Sequence, residues 1–201
     1  MARLVSDRAE RTAGMVVLPA SLEDPNKAPP GLARIGLISI CGSIFAFFAA
    51  LIIAYVWRSY AAPFWDPITL PPTLWLSTGI ILISSVVFEV ARRMFGRGNH
   101  RGASRLFVVT GCLGAAFLAS QLAAWRELVR AGAYLLQNPH SSFFYLFTGL
   151  HALHLVGGLV ALLVLLLRKN PRRELVDMVT YYWHFLGVLW LVLFGVLHLI
   201  S

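Results

Sequence analysis

The stretch that most constrains this chain is Ser142–Leu167, SFFYLFTGLHALHLVGGLVALLVLLL, 26 residues without an Asp, Glu, Lys or Arg. At about 1.5 Å of rise per residue, a helix of that length exceeds a hydrocarbon core ~30 Å thick. A run this long and uncharged predicts a helix across a bilayer, where the backbone must satisfy its own hydrogen bonds. Two histidines interrupt it. On helical spacing Phe144, Phe147, His151, His154 and Gly158 fall on one side, which is predicted to face other protein, because an unpaired polar atom in lipid is costly.

The pattern recurs along the chain. Of 201 residues 58% are hydrophobic and the mean hydropathy is +0.73, whereas soluble domains sit near ~45–50% apolar. The prediction is an all-α membrane protein, a bundle of five transmembrane helices with spans at about 32–57, 72–91, 106–124, 142–167 and 179–200. Residues 1–31 are read as a polar cytoplasmic tail and 32–201 as the membrane domain; the tail's apolar cluster, Met15–Leu18, is too short for a signal-peptide core. Arg92–Arg105, Arg126–Ser141 and Arg168–Asp177 are expected to be loops.

A net charge of +8 and a pI near 10.2 would fit a nucleic-acid partner, but the basic residues cluster between apolar runs, as membrane topology requires, so no nucleic acid is expected. The tail to Arg34, Arg92–Arg105 and Arg168–Arg173 hold fourteen Lys and Arg; Arg58, Arg126 and Arg130 make three on the other side. That asymmetry predicts a cytoplasmic N-terminus and an external C-terminus.

Glu89 is the one acidic residue well inside an apolar run, and Trp75, Thr78, Leu82, Ser85 and Glu89 share a helical face. In the last span His184, Gly187, Val188, Leu191, Gly195 and His198 line one face, predicted to look into the bundle, with Trp183 and Trp190 on another. Counted from the same end, Glu89 and His184 differ in depth by roughly 4–5 Å, which predicts one polar layer. Arg92 and Arg93 open the basic stretch that sets orientation and meets anionic lipid headgroups. Bis-histidine haem is not expected: His184 and His154 differ in depth by roughly 12 Å, and His151 and His198 by roughly 9 Å. His151 and His154, three apart, lack a third inward ligand at their depth. Cys41 and Cys112 lie in apolar runs without metal-ligand spacing. The candidate lipid-binding or interhelical polar contacts are therefore Glu89, Arg92, Arg93, His151, His154, Trp183 and His184, with no catalytic or metal residue among them.

Two aromatic-rich blocks carry a resemblance. TGLHALHLVGG at Thr148–Gly158 is similar to the TGxHGxHVxxG signature of subunit III of the haem-copper respiratory oxidases, and YYWHFLGVLWLVLF at Tyr181–Phe194 to that family's YWHFVDVVWLFLF, in the same order and at a like separation. The second span resembles the PLPxLLLNTxLLLSSxTLEWA block, with Glu89 on its glutamate, and the first span resembles the first helix of five-helix bacterial members. The likeness covers about Leu32–Ser201. Three family acids are absent: the first span reads SICGSIF, Ala124 replaces the glutamate of QxxEW, and Gly187 replaces the aspartate of WHFVD.

The resemblance implies a non-catalytic, cofactor-free subunit of a respiratory complex or supercomplex in the bacterial plasma membrane, reducing oxygen to water. Haem and copper would reside in partner subunits, above all the catalytic subunit I on which this one packs, and bound phospholipid would lie between helices. Other classes remain: an accessory subunit of a quinol oxidase or nitric oxide reductase complex, an independent transporter, or a gas-handling enzyme with its own cofactor. Against the transporter stands the lack of an inverted repeat or a broken helix. No Gly-x-Ser-x-Gly, HExxH or phosphate-binding glycine loop occurs.

Overall fold

The computed structural model describes residues 31–61, 70–132 and 139–200. The predicted tail up to residue 30 and residues 62–69 and 133–138 lie outside these. The chain divides at Gly36 into two compact units. In the first, Gly31 takes a positive φ of 94° and its carbonyl accepts from Ile35 N at 3.0 Å, which opens a helix. The second, Leu37–Ser201, holds the bundle.

Five helices account for nearly all of the described chain: α1 Leu32–Ala61, α2 Thr73–Gly96, α3 His100–Arg130, α4 Pro139–Leu167 and α5 Arg173–Ile200. Each is long and apolar enough to cross a membrane. The expected loops are corrected. Arg92–Gly96, His100–Arg105, Arg126–Arg130, Pro139–Ser141 and Arg173–Asp177 are all helical. An apolar run ends where hydrocarbon ends, but helical hydrogen bonding has no reason to stop there, and arginine is a good helix former. Only residues 97–99 separate α2 from α3, where Gly98 adopts φ 83° and the Asn99 side chain caps α3 by accepting from Gly102 N.

In the second unit α2 lies against α3 and α5, and α4 against α3 and α5. The four helices close a ring whose neighbours all run antiparallel. The part of α1 from Leu37 onward approaches α4 through rings: Phe48 to His154 at 5.6 Å, Tyr55 to Phe143 at 5.3 Å and Tyr55 to Phe147 at 5.5 Å. Apart from Ile44, which is buried, most of the rest of α1 is exposed, with Ile38 and Ile53 at about 70%.

Trp183 sits where the ring converges. It is fully buried, and its Nε1–H donates to Ser84 Oγ on α2 at 3.1 Å. Its six-membered ring occupies space left by two glycines. A Cβ at Gly114 of α3 would stand 2.7 Å from its Cη2, and one at Gly158 of α4 would stand 3.4 Å from its Cε3. Phe88 of α2 meets it edge-on at 5.7 Å. Lipid tails are as apolar as leucine, so close steric fit and hydrogen bonds hold such helices together, and small residues are what allow the approach.

The inward face predicted for α5 is corrected. The buried face of α5 is Trp183, Leu186, Trp190, Leu193 and Leu197, while Val188, Leu191 and His198 are exposed. On α2 the buried residues are Leu74, Ser77, Thr78, Ile81, Ser84, Phe88 and Ala91, and Trp75 and Leu82 are exposed. In a membrane, polarity alone does not mark the inside; large aromatics opposite glycines do.

Candidate functional site

At the basic end of the bundle α2 and α5 bring four charged side chains and a histidine together. Glu89 lies one turn from Arg92 and Arg93 on α2, so helical spacing alone aims both guanidiniums at it. Arg92 Nε and Nη2 donate to the two carboxylate oxygens at 2.8 Å each, and Arg93 Nε donates at 2.8 Å. The Arg92 pairing is the bidentate geometry in which a planar guanidinium binds a carboxylate best. Arg92 Nη1 also reaches across to Asp177 on α5 at 3.1 Å, and its Cζ stands 5.7 Å from the centroid of the Tyr181 ring. His184 Nε2 lies 3.6 Å from Glu89 Oε2, near but beyond hydrogen-bond length. About a quarter of the Glu89, Arg92 and Asp177 side chains is exposed, against 66% for Arg93, so the cluster sits at the edge of the α2–α5 seam.

Of the residues predicted as polar contacts, Glu89, Arg92, Arg93 and His184 thus come together. Asp177 and Tyr181 were missed. Both precede His184 on one helical face, at seven and three residues, a spacing that points them to the same place once α5 is known to begin at Arg173.

The other predicted residues lie deeper and apart. His154 Nδ1 is 2.7 Å from the Leu150 carbonyl of its own helix, and its backbone carbonyl accepts from Tyr182 Oη at 3.3 Å. His151 is fully buried, and its ring lies 5.8 Å from Phe117 and 5.2 Å from Trp190. Neither of its nitrogens, nor the side-chain amide of Gln121 on α3, makes a hydrogen bond with the described residues. Trp183 serves the helix junction described above. A chain of hydroxyl contacts runs through the same interior: Trp190 Nε1 donates to Thr78 at 3.0 Å, Ser77 and Ser120 hydroxyls pair at 2.7 Å, and Trp125 Nε1 donates to Thr148 at 3.0 Å. Each joins two helices. At the opposite end Thr73 Oγ1 donates to Glu127 at 2.6 Å. Among the described residues no three of His, Cys, Asp and Glu are grouped as metal ligands would be.

Two of the positions that depart from the family blocks are closely surrounded. Ala124 is fully buried. A Cβ at Gly187 would stand 3.1 Å from Ser85 Oγ, so α5 passes too close to α2 there for a longer side chain to enter without displacement.

Fold and site together define a multi-pass helical membrane protein whose inward polar groups join helices. A family model described as Cytochrome c oxidase subunit III matches residues 30–201. The "Probable cytochrome c oxidase subunit 3" of Mycobacterium tuberculosis (strain ATCC 25618 / H37Rv) is 33% identical over 184 residues, covering 85% of this chain and 89% of the relative. The "Cytochrome c oxidase subunit 3" of Corynebacterium diphtheriae is 31% identical over 189 residues, covering 86% and 90%, and that of Synechocystis 29% over 182 residues, covering 85% and 77%. The chain belongs to the cytochrome c oxidase subunit III family, as a multi-pass protein of a bacterial membrane.

Proposed function

We propose that this protein is the cofactor-free subunit III of a haem-copper oxidase complex, a companion that packs on the catalytic subunit, steadies it and holds lipid at its flank. The observation that carries the reading is the use to which both family motifs are put. Inward residues of Thr148–Gly158 and Tyr181–Phe194 are spent on joining helices, through Thr148, Gly158, Trp183 and Trp190. The two histidines of the first motif lie against aromatic rings, His151 edge-on to Phe117 and tilted to Trp190, and His154 edge-on to Phe48, and they gather no third ligand among the described residues. Electron transfer and oxygen chemistry then belong to haem and copper in partner subunits. Exposed aliphatic faces on α1 and α2 supply area for a partner helix or acyl chains, and Arg93 offers positive charge to lipid phosphate.

The test is purification through a tag on this chain. A haem-copper catalytic subunit is expected to co-purify. A complex prepared without this chain should keep most of its initial oxygen-reducing rate and lose it faster during turnover. Loss of the initial rate with the catalytic subunit still folded and haem-loaded would overturn the companion role.

A further inference from the structure

Two polar side chains meet in the middle of the α3–α4 seam. Gln121 on α3 is 2% exposed and His151 on α4 is fully buried. Contacts on either side of them fix the register of the two antiparallel helices. A Cβ on Gly111 would stand 3.5 Å from Leu162 and one on Gly114 3.0 Å from Leu159, while Trp125 Nε1 donates to Thr148 at 3.0 Å. Counting inward from these contacts sets Gln121 opposite Ala152, beside His151. Phe117, one turn before Gln121, meets the His151 ring edge-on at 5.8 Å, and Trp190 of α5 meets it at 5.2 Å.

The two side chains carry a large hydrogen-bonding demand. A neutral imidazole has one donor and one acceptor, and a carboxamide has two donors and an acceptor oxygen. Neither nitrogen of His151 and neither side-chain polar atom of Gln121 bonds to a described residue, so the two do not bond to one another either. The hydroxyls nearby are engaged. Thr148 donates to the Phe144 carbonyl while accepting from Trp125, Ser120 donates to the Phe117 carbonyl and pairs with Ser77, and Thr78 accepts from Trp190. His154 turns its Nδ1 to the Leu150 carbonyl of its own helix at 2.7 Å; His151 makes no such bond. Leaving buried polar atoms unpaired is costly, most of all at a depth where lipid surrounds the bundle. One imidazole and one amide oxygen, with no third ligand among the described residues, do not make a metal site. They call for a small neutral molecule that donates and accepts at once.

We propose that a buried water molecule is bound between Gln121 and His151. It accepts from the Gln121 amide nitrogen and donates to Gln121 Oε1 and to the unprotonated nitrogen of His151, about three hydrogen bonds, the usual number for an internal water. The α3–α4 seam is then held at its outer part by Trp125 and Thr148, at its inner part by the close approach at Gly111 and Gly114, and between them by solvent.

The full chain, labelled with ¹⁵N in its histidine rings and glutamine amides, is reconstituted in bilayers of acyl-deuterated phosphatidylcholine and studied by proton-detected solid-state NMR. His151 is identified by the signals that vanish in His151→Phe or, if that variant does not insert, by sequential assignment. A cross-peak from water to the His151 ring and to the Gln121 amide is expected. His184, about a third exposed, shows in the same sample that water transfer is detectable. Silence at His151 beside a signal at His184 would overturn the site, and so would a direct His151–Gln121 correlation without water. Gln121→Leu should keep the His151 ring signals and lose their water cross-peak; its persistence would assign the water to other partners and refute the bridge. Unfolding in mixed micelles supplies an independent reading. Gln121→Leu and His151→Phe should each lower the midpoint, and the double variant should recover most of the loss, because both demands vanish together. A double-variant loss equal to the sum of the two would show independent positions and would also overturn the site.

Discussion

Glu89 holds three hydrogen bonds from two arginines while about three-quarters of its side chain is buried. Removing one partner of such a cluster costs more than the pair's net worth, because the remaining charge loses its compensation. Partial exposure lowers the cost, and Asp177 still serves Arg92. Glu89→Leu is therefore expected to destabilise the bundle by about 1–2 kcal/mol, and Glu89→Gln, which keeps an acceptor for Arg92, by less than about 1 kcal/mol. Unfolding in mixed micelles titrated with denaturing detergent measures both. Equal losses for leucine and glutamine would show that packing, not the acceptor, matters at this position. His184 is expected to matter less, since at 3.6 Å it makes no hydrogen bond to Glu89.

At the scale of the elements, α3, α4 and α5 fit because glycines on two of them make room for an indole on the third. Gly114→Val would drive a side chain into Trp183, where even a Cβ stands 2.7 Å away. A loss of about 1–3 kcal/mol is expected, the usual cost of overpacking. Gly111→Ala is the control, because its Cβ meets Leu162 at 3.5 Å, an ordinary contact. The alanine gains helix propensity of roughly 0.5–1 kcal/mol and should be neutral or stabilising in the same unfolding assay. This junction was hidden in the sequence. Trp183, Gly114 and Gly158 are each visible, but which helices are neighbours is not, and the pairing exists only through adjacency. The five helices were legible because uncharged runs longer than a bilayer core leave the backbone one solution. Their ends were not, since the hydrogen-bond ladder continues into the arginine-rich segments. The nearness of Glu89 and His184 was readable by counting depth along two helices. Asp177 was not, because it fell in a stretch taken for a loop that is the second turn of α5.

For the whole molecule, all neighbours in the ring α2–α3–α4–α5 are antiparallel, so the connections alternate between the two ends. One end gathers Arg92–Arg105 and Arg168–Arg173 and the other Arg126 and Arg130. The charge asymmetry predicts that the first end faces the cytoplasm. A reporter active only outside the cytoplasm should work when fused after Ser201 and fail when fused after Arg97; the reverse pattern would invert the orientation. Replacing the arginines of residues 97–105 with neutral residues should weaken the preference without changing the helix pairing, which depends on Trp183 and its glycines.

The three-residue turn at 97–99 also bears on how the protein is made. So short a link lets α3 enter the bilayer only as the second arm of a hairpin begun by α2. The carboxylate of Glu89 reaches the membrane with that first arm, some 90 residues before Asp177 and His184 leave the ribosome. Its arginine partners sit three and four residues further on in the same helix. The nascent hairpin thus carries its own counter-ions, and the acid is neutralised before α4 and α5 have been synthesised.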